Sequence, residues 1–473
     1  MSNRFRIQWG LIRTIWQQHE YRFLLFNLFF IGLASSSSMP LVTLFLVKNL
    51  HVPASGVGLF YLTALVRPLV NVATGRLSDR LRSRLPLIRL SAIWLAVGWG
   101  IMAIAGQFWL AIGVSTVFFC LTGTLIAQTF AAVRDVMNRK GELQDAAISS
   151  TIRTAYSLAS ILGPILGSWL ATTVGLRFTF LATSCLCVSS LVPIQSLDIR
   201  VVVKKKTALL YTGSTTYMRT QGKSIYMRTQ GKSIRVVLKS AAIRTYTRLF
   251  LGTIATIGVK VDYAAKVAIK RDHFNLVCFG VVCLFVLSGD AIKLAYLPLY
   301  VVNGLKQNLI AFGSLLSISA IAELAAMPLA GVLADKIGMR KVIAGGILIG
   351  VLDYALLANS THLWQLYLVQ FLHVGVISVM FGVGITYAQR LDQQEPGLAS
   401  SVVFSGQSLA TPVGGLIGGY GVHLLGMPRV FLISSCMCAL SLGILLMIHS
   451  APKGVTERDP NALGSSFRYR YYL

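Results

Sequence analysis

Long apolar segments recur along this chain of 473 residues, and they constrain its fold more than any other feature. Several windows of about 20 residues carry few or no charges, which is the length that a helix needs to cross roughly 30 Å of hydrocarbon. Charged residues make up only 12% of the chain, whereas soluble proteins carry roughly 25%. The segments indicate membrane-spanning helices, because the strands of a membrane barrel alternate polar and apolar residues over about ten positions.

The apolar segments predict an all-α membrane protein with twelve transmembrane helices in two sets of six. The first set is 22–47, 55–75, 88–106, 109–133, 146–173 and 177–197. The second set is 273–302, 308–332, 341–358, 362–388, 397–424 and 428–449. This pattern divides the chain into a helical bundle at 1–197, a long basic loop at 198–272, a second bundle at 273–449 and a tail at 450–473.

Basic residues between the segments predict the orientation in the membrane. They gather in the loops after helices 2, 4, 8 and 10, whereas each opposite loop holds at most one clear basic residue. Because basic loops stay in the cytoplasm, both termini are expected there, and the protein is expected in the inner (plasma) membrane. The same bias accounts for most of the net charge of +27, so we expect no nucleic-acid partner.

The two bundles are related by an internal repeat. GRLSDRLRSR, from Gly75 to Arg84, follows helix 2, and GVLADKIGMR, from Gly331 to Arg340, stands 256 residues later, after helix 8. SLASILGPILGSW at 157–169 matches SLATPVGGLIGGY at 408–420, at the similar distance of 251 residues. A parallel duplication of six helices is one architecture of secondary transporters.

The basic loop contains YMRTQGKSI twice in tandem, from Tyr217 and from Tyr226. The GKS triplets do not form a phosphate-binding loop, because both tyrosines stand where that motif requires a glycine. We interpret the stretch as a recent duplication in a poorly ordered cytoplasmic loop.

The two repeated loops share the pattern G-x-x-x-D-(R/K)-x-G-x-(R/K), which resembles the loop signature of the major facilitator superfamily. Its members here are Gly75, Asp79, Arg80, Gly331, Asp335, Lys336, Gly338 and Arg340. Arg82 replaces the second glycine in the first copy. The resemblance implies a secondary transporter whose loops act as a gate. The glycines would let helices approach closely, and the aspartates would cap helix N-termini or pair with arginines.

Other stretches are similar to the bacterial sugar efflux transporters of this superfamily. Among them are HVPASGVGLFYLTA, AQTFAAVRD, SSTIRTAYSLASILGP, YLPLYVVN and AELAAMPLAGVLADKIGMRK. This resemblance implies export of sugars or similar small polar solutes, driven by a proton gradient and with no other cofactor. The stretch 159–167 also resembles the helix 5 glycine–proline motif of proton-coupled drug antiporters, so drug efflux is an alternative.

A different class of function, a non-transporting membrane receptor on the same scaffold, is a further alternative. The sequence has no nucleotide site, metal cluster or nucleophile–base arrangement, so we predict that the chain is not an enzyme. We expect a monomer whose partners are a small-molecule substrate and membrane lipid.

Six ionisable residues lie within the apolar segments, where charges are costly and usually face a cavity or a partner. They are Arg67, Arg153, Asp290, Lys293, Glu323 and Asp353. Arg67 and Glu323 occupy equivalent positions, eight residues before the glycine of their loops. Because helices 5 and 8 pack together in the superfamily, we predict an ion pair between Arg153 and Glu323. That pair either breaks when Glu323 takes up a proton or is permanent and structural.

The remaining ionisable residues have two interpretations each. Asp290 and Lys293 are three apart on one helix, so they pair with each other or line the cavity, with Asp290 a second protonation candidate. Asp353 is expected in a buried packing contact or at the membrane edge.

Polar side chains on helices 4, 7, 10 and 11 are candidates for substrate binding, because amides, hydroxyls and rings suit hydroxyl-rich ligands. They are Gln128, Lys293, Gln370, His373, Tyr387, Gln389 and Gln407. The alternative is hydrogen bonding between helices, with His373 a packing residue.

Overall fold

A computed structural model describes the backbone of residues 18–81, 83–140, 145–195, 197, 217–221, 224–229, 232–237, 263–392 and 396–448. Side chains are described in these ranges except at 79–80, 138, 140, 145–153, 217–237, 263–273 and 396–397. The predicted roles of Asp79, Arg80 and Arg153 therefore lie outside the described side chains. Most of the basic loop and the tail at 450–473 also lie outside the described residues.

Twelve helices, α1 to α12, follow one another in the predicted order. The first six are α1 (19–48), α2 (54–80), α3 (Leu85–Ile104), α4 (108–140), α5 (Asp145–Thr173) and α6 (Leu176–Ile194). The second six are α7 (263–304), α8 (Leu309–Ile337), α9 (Met339–Ala358), α10 (Leu363–Leu391), α11 (Pro396–Leu425) and α12 (Phe431–Met447).

Ten of these helices are long and apolar enough to cross a membrane. The other two are α12, an apolar helix of 17 residues, and α11, which is 30 residues long and rich in glycine. The expected all-helical membrane architecture is confirmed.

The sequence explains the break in α1 and the early start of α7. In α1, a 3-10 turn at Met39–Leu41 separates His19–Ser38 from Val42–Lys48, because Pro40 cannot donate a backbone hydrogen bond. α7 begins at Tyr263, ten residues before the predicted start, because no glycine or proline interrupts the chain up to Phe274.

The duplicated segment of the basic loop forms a three-stranded antiparallel sheet. Its strands are β1 (Tyr217–Gln221), β2 (Ser224–Thr229) and β3 (Lys232–Val237), in the order β1-β2-β3. Tyr217 lies opposite Arg228, and Ser224 lies opposite Val237. The predicted basic loop therefore contains local β-structure in these three segments.

The internal repeat is also visible in a matching contact of each half: an arginine on the third helix donates hydrogen bonds to the end of the sixth helix. The Arg89 guanidinium on α3 donates to the Ile194 carbonyl at the end of α6, at 3.0 Å. The Arg340 guanidinium on α9 donates to the carbonyls of Leu445 and Leu446 near the end of α12, at 3.3 and 3.0 Å. Each arginine adds a charged donor to carbonyls at the C-terminal end of a helix.

We expect Arg89→Gln and Arg340→Gln each to destabilise the protein by about 1–2 kcal/mol, because a charged donor at a helix C-terminus is lost. The measurement is the unfolding temperature of the purified variants in detergent. Lys341→Gln, next to Arg340 and exposed, is the control and should change little. Loss of transport in Arg340→Gln at unchanged stability would contradict this structural role and favour a role in gating.

Glycines let neighbouring helices of one half lie against each other. A side chain at Gly163 or Gly167 of α5 would overlap Ser36 and Ser37 of α1. In the second half, a side chain at Gly414 of α11 would overlap Ser288 of α7. The close contact that the repeated glycine segment implied therefore occurs between α5 and α1, and again between α11 and α7.

Candidate functional site

The two six-helix bundles meet through a matched pair of close contacts. A Cβ built on Gly58 of α2 would lie 2.8 Å from the carbonyl oxygen of Gly415 on α11. A Cβ built on Gly313 of α8 would overlap the Pro164 carbonyl and the Ser168 side chain of α5. Gly58 and Gly313 lie 17 and 18 residues before the glycines of their loops, so they are related by the repeat to within one residue.

These contacts all lie toward the helix ends that are remote from the repeated Gly75 and Gly331 loops. Hydrogen bonds between the bundles lie in the same part: Thr172 donates to Asn308 Oδ1 at 3.0 Å, and Ser317 donates to the Ile161 carbonyl at 2.5 Å. The described part of the chain is thus closed on the side opposite the loops.

The two loops make no such close contact. No described atom lies within 4 Å of a Cβ built on Gly75 or on Gly331, so the close helix approach expected at Gly75 does not occur among the described residues in this conformation and stays a prediction. Gly338 has a φ of +97°, which favours glycine at the turn between α8 and α9. Asp335 and Lys336 are exposed, and no side chain caps the start of α9, so the expected cap is not formed.

Near the first loop, an ion pair joins α2 and α3 to α4. Arg84 Nε donates to Asp135 Oδ2 at 2.7 Å, and its terminal nitrogen donates to Ser78 at 2.7 Å and to Gln128 Oε1 at 3.2 Å. Ser78 also donates to Gln128. Gln128, a predicted substrate contact, is buried in this network. Sequence reasoning did not single out Asp135, although its place beside the basic residues that end helix 4 was a usable signal.

The second bundle holds a cluster of four ionisable side chains from three helices. His373 of α10 stands between two carboxylates: its Nε2 lies 3.2 Å from Asp290 Oδ1 of α7, and its Nδ1 lies 3.3 Å from Asp353 Oδ2 of α9. Lys293 Nζ of α7 lies 3.5 Å from the same Asp353 oxygen. We call Asp290, Lys293, Asp353 and His373 the charged cluster.

Burial differs across the charged cluster. The exposed fraction of the side chain is 0% for Asp353, 4% for Lys293, 11% for His373 and 29% for Asp290. The Lys293 ammonium also lies 5.9 Å from the centre of the Tyr354 ring. The second carboxylate oxygen of Asp353, Oδ1, is buried and has no hydrogen-bond partner. Asp290 is thus the exposed edge of the cluster and Asp353 its interior.

The cluster changes several predictions made for its members. Asp290 and Lys293 do not pair with each other but with residues of α10 and α9. Asp353 is buried, as one of its two interpretations predicted, and its contacts there are with Lys293 and His373. His373 lies between two carboxylates rather than in a plain packing contact. The helical period places Asp290 and Lys293 on one face, but only the packing of α9 and α10 against α7 decides which partners they meet.

Glu323 of α8 is half-buried and close enough to interact electrostatically with Asp290, Lys293 and His373. It forms no ion pair within the described side chains. Its predicted pairing with Arg153 stays a prediction, because the Arg153 side chain lies outside them.

We expect Glu323→Gln to abolish transport driven by a proton gradient while solute exchange persists, because the amide keeps the shape of the side chain and cannot take up a proton. The measurement compares the two modes of flux in proteoliposomes. Glu20→Gln, which makes the same change to a carboxylate that pairs with Arg139 at the start of α1, is the control. Unchanged gradient dependence in Glu323→Gln would end this assignment.

Arg67 lies apart from the charged cluster, in the first bundle near Tyr61 and Cys120. Its Nε is buried and has no hydrogen-bond partner, while the residue as a whole is half-buried. Tyr61 donates to or accepts from Thr43 at 2.8 Å. An arginine that no described carboxylate neutralises remains available to an anionic or hydroxyl-rich ligand.

The remaining predicted substrate residues have different surroundings. Gln389 donates to Ser400 at 2.8 Å, which joins α10 to α11. Tyr387 is buried edge-on against the Phe279 ring, with centroids 4.9 Å apart. Gln370 is buried one turn before His373, and its Oε1 has no partner. Gln407 of α11 is half-buried. Among the described residues, no group of three or more His, Cys, Asp or Glu side chains is arranged to hold a metal ion.

The geometry described so far is that of two duplicated six-helix bundles with polar interiors. A family model described as Major Facilitator Superfamily matches residues 24–268 and 277–469. The chain belongs to the major facilitator superfamily. As a member, it is a multi-pass membrane protein that transports a small molecule, and it is not an enzyme.

Relatives of this major facilitator protein include two kinds of exporter. Sugar efflux transporter A of Dickeya chrysanthemi is 23% identical over 412 residues, covering 87% of this chain and 91% of the relative. Multidrug resistance protein MdtG of Dickeya zeae (strain Ech586) is 24% identical over 355 residues, covering 73% of each chain. A crystal structure of a mutant of the nucleoside transporter NupG matches with a TM-score of 0.70 at 12% identity, covering 92% of this chain and all of that one. This last likeness concerns the fold.

Proposed function

We propose that this protein exports sugars or similar small polar solutes in exchange for protons, by alternating access. It does so as a monomer in the inner (plasma) membrane, with both termini in the cytoplasm. The observation that carries the proposal is the one-sided closure of the bundles. Among the described residues, the close contacts between the bundles at Gly58 and Gly313 lie at the ends remote from the repeated loops. We therefore infer that the solute path opens toward those loops.

Three further observations support the parts of this proposal. Basic residues on the repeated loops support a cytoplasmic location for the open side. Relatives named sugar efflux transporters match most of the chain and favour sugars. The charged cluster brings two carboxylates and a histidine together inside the second bundle, where a coupling ion is expected to bind. Both bundles belong to one chain, so no second copy is needed to complete the path.

A second candidate is exchange of lipophilic drugs for protons. The relative named as a multidrug resistance protein favours it, and so does the partly exposed carboxylate of Asp290, which would attract a cation. Under this alternative Asp290 binds the drug directly, whereas a sugar would need hydrogen-bonding amides such as Gln407.

The test is proton flux in proteoliposomes that contain the purified full chain and an internal pH dye. Sugars are added first and lipophilic cations second, with protein-free liposomes as the control. A pH change with sugars alone supports the sugar proposal, and a change with cations alone supports drug exchange. If both classes move across the membrane and neither changes the internal pH, proton coupling is wrong.

A further inference from the structure

The two ring nitrogens of His373 both lie within hydrogen-bond distance of a carboxylate oxygen, Nε2 of Asp290 and Nδ1 of Asp353. A neutral imidazole carries one N–H, so it can donate to only one of two ionised carboxylates. Its other nitrogen would then direct a lone pair at the second carboxylate. The observed geometry therefore requires one more proton, either on the imidazole or on one of the two carboxyl groups.

That additional proton also balances the charge. With both aspartates ionised, Lys293 and a doubly protonated His373 bring the charged cluster to neutrality. Without the proton, the cluster carries a net charge of −1 around Asp353, whose side chain is 0% exposed. An uncompensated charge in such surroundings is costly, so the closed arrangement of the cluster favours the proton-loaded form.

The groups that face the cluster come from every helix packed around it. They are Asp290 and Lys293 of α7, Glu323 of α8, Tyr354 of α9, His373 of α10 and Cys438 of α12. The one further carboxylate among them, Glu323, adds negative charge, which strengthens the attraction for a proton.

Access to the cluster is limited to one side. The Asp290 side chain is 29% exposed, whereas Asp353 is closed off behind His373 and Lys293. The other carboxylate oxygen of Asp353, Oδ1, is buried and has no hydrogen-bond partner, so neutralising Asp353 lowers the cost of burying this carboxylate. A path for a proton therefore runs from Asp290 to His373 and ends at Asp353.

We propose that Asp290, His373 and Asp353 form one proton-binding site, in which Asp290 receives the proton and His373 passes it to Asp353. In that transfer, the Asp290 carboxyl gives a proton to His373 Nε2, and the Nδ1 proton moves to Asp353 Oδ2. His373 is doubly protonated after the first step and neutral again after the second, with its N–H now on Nε2. Asp290 returns to its ionised form, and Asp353 becomes a neutral acid. Lys293 stays charged throughout and holds Asp353 in place.

The site rests on the proton-coupled transport proposed above, but proton binding can be measured without transport. We would follow the seven histidines of the full chain by NMR, with ring-labelled histidine in lipid nanodiscs between pH 5 and 9. The His373 signal is assigned by its loss in His373→Gln. If the three residues form one site, Asp353→Asn and Asp290→Asn each weaken proton binding at His373 by about tenfold or more, because a neighbouring negative charge is lost.

Asp135→Asn, which removes an ion-paired carboxylate in the other bundle, is the matched control and leaves His373 unchanged. Asp290→Asn changes a partly exposed side chain and keeps the test valid should Asp353→Asn fold poorly. A His373 titration that neither substitution shifts would overturn the site.

Transport measurements then distinguish a failure of the proposed proton-binding site from a failure of the proposed function. Both asparagine variants should lose at least tenfold of the flux driven by a proton gradient and retain exchange of solute. If wild-type flux follows the gradient but neither variant changes His373, the site is wrong and the proposed function stands. If His373 shifts as expected but wild-type flux ignores the gradient, proton coupling is wrong and the cluster has no role in driving transport.

Discussion

Replacing Lys293 with methionine is expected to destabilise the protein by about 3–5 kcal/mol, because it leaves a buried carboxylate without its cationic partner. Asp353 is fully buried, and the Lys293 ammonium at 3.5 Å is the nearest permanent positive charge described around it. The unfolding temperature of the purified variant in detergent, and its yield in the membrane, measure the effect.

The double substitution Lys293→Met with Asp353→Leu is the matched control. Replacing a buried ion pair by apolar residues of similar volume is often neutral or stabilising, so the double variant should recover most of the lost stability. It should not recover transport driven by protons, since the interior carboxyl is gone. A single Lys293→Met variant as stable as the wild type would show that the ion pair does not neutralise Asp353.

Leucine at Gly313 or at Gly58 is expected to lower transport by tenfold or more, because the bundles could no longer close on the side where they now meet. A Cβ at Gly58 would already lie 2.8 Å from the Gly415 carbonyl oxygen, and one at Gly313 would overlap Pro164. Backbone atoms cannot move aside as a flexible side chain can, so the helices of the two bundles must move apart.

Cysteine labelling measures this opening directly. Ser168→Cys in a cysteine-free background places a thiol against Gly313, where Ser168 is 1% exposed. Adding Gly313→Leu should make that thiol react faster with a water-soluble maleimide. Gly345→Leu is the matched control, because a Cβ on Gly345 meets no atom within 4 Å. Unchanged labelling and transport in Gly313→Leu would show that this contact does not close the path.

Substituting leucine for Gly75 or Gly331 tests the opposite state of the transport cycle, in which the repeated loops would close. In this conformation neither position touches a neighbour, so these variants should fold normally. The repeated loops were expected to act as a gate, and such a gate would close only in the opposite state.

The sequence predicted the architecture well because membrane folds are constrained by length and polarity along the chain. Twelve helices, their order and the repeat at 251 to 256 residues all follow from local patterns. It also predicted Asp290, Lys293, Glu323 and His373 as candidate functional residues, because polar groups at bilayer depth are rarely placed there without a partner.

The sequence did not predict which side chains these polar residues contact. Asp353 was expected in a packing contact or at the membrane edge, since helix position along the chain says nothing about which neighbours surround it. The ion pair of Arg84 with Asp135, and the placement of Gln128 within it, likewise depend on how α2, α3 and α4 pack together.

The sequence by itself determined what this protein is: a duplicated bundle of membrane helices with charges fixed at particular depths and basic loops on one side. Spacing along a helix sets depth and face, so those features need no knowledge of the other helices. Only the tertiary structure decided which charges meet and which side is closed. A contact between α7, α9 and α10, or between Gly313 and Pro164, is set by side-chain packing across helices far apart in the chain.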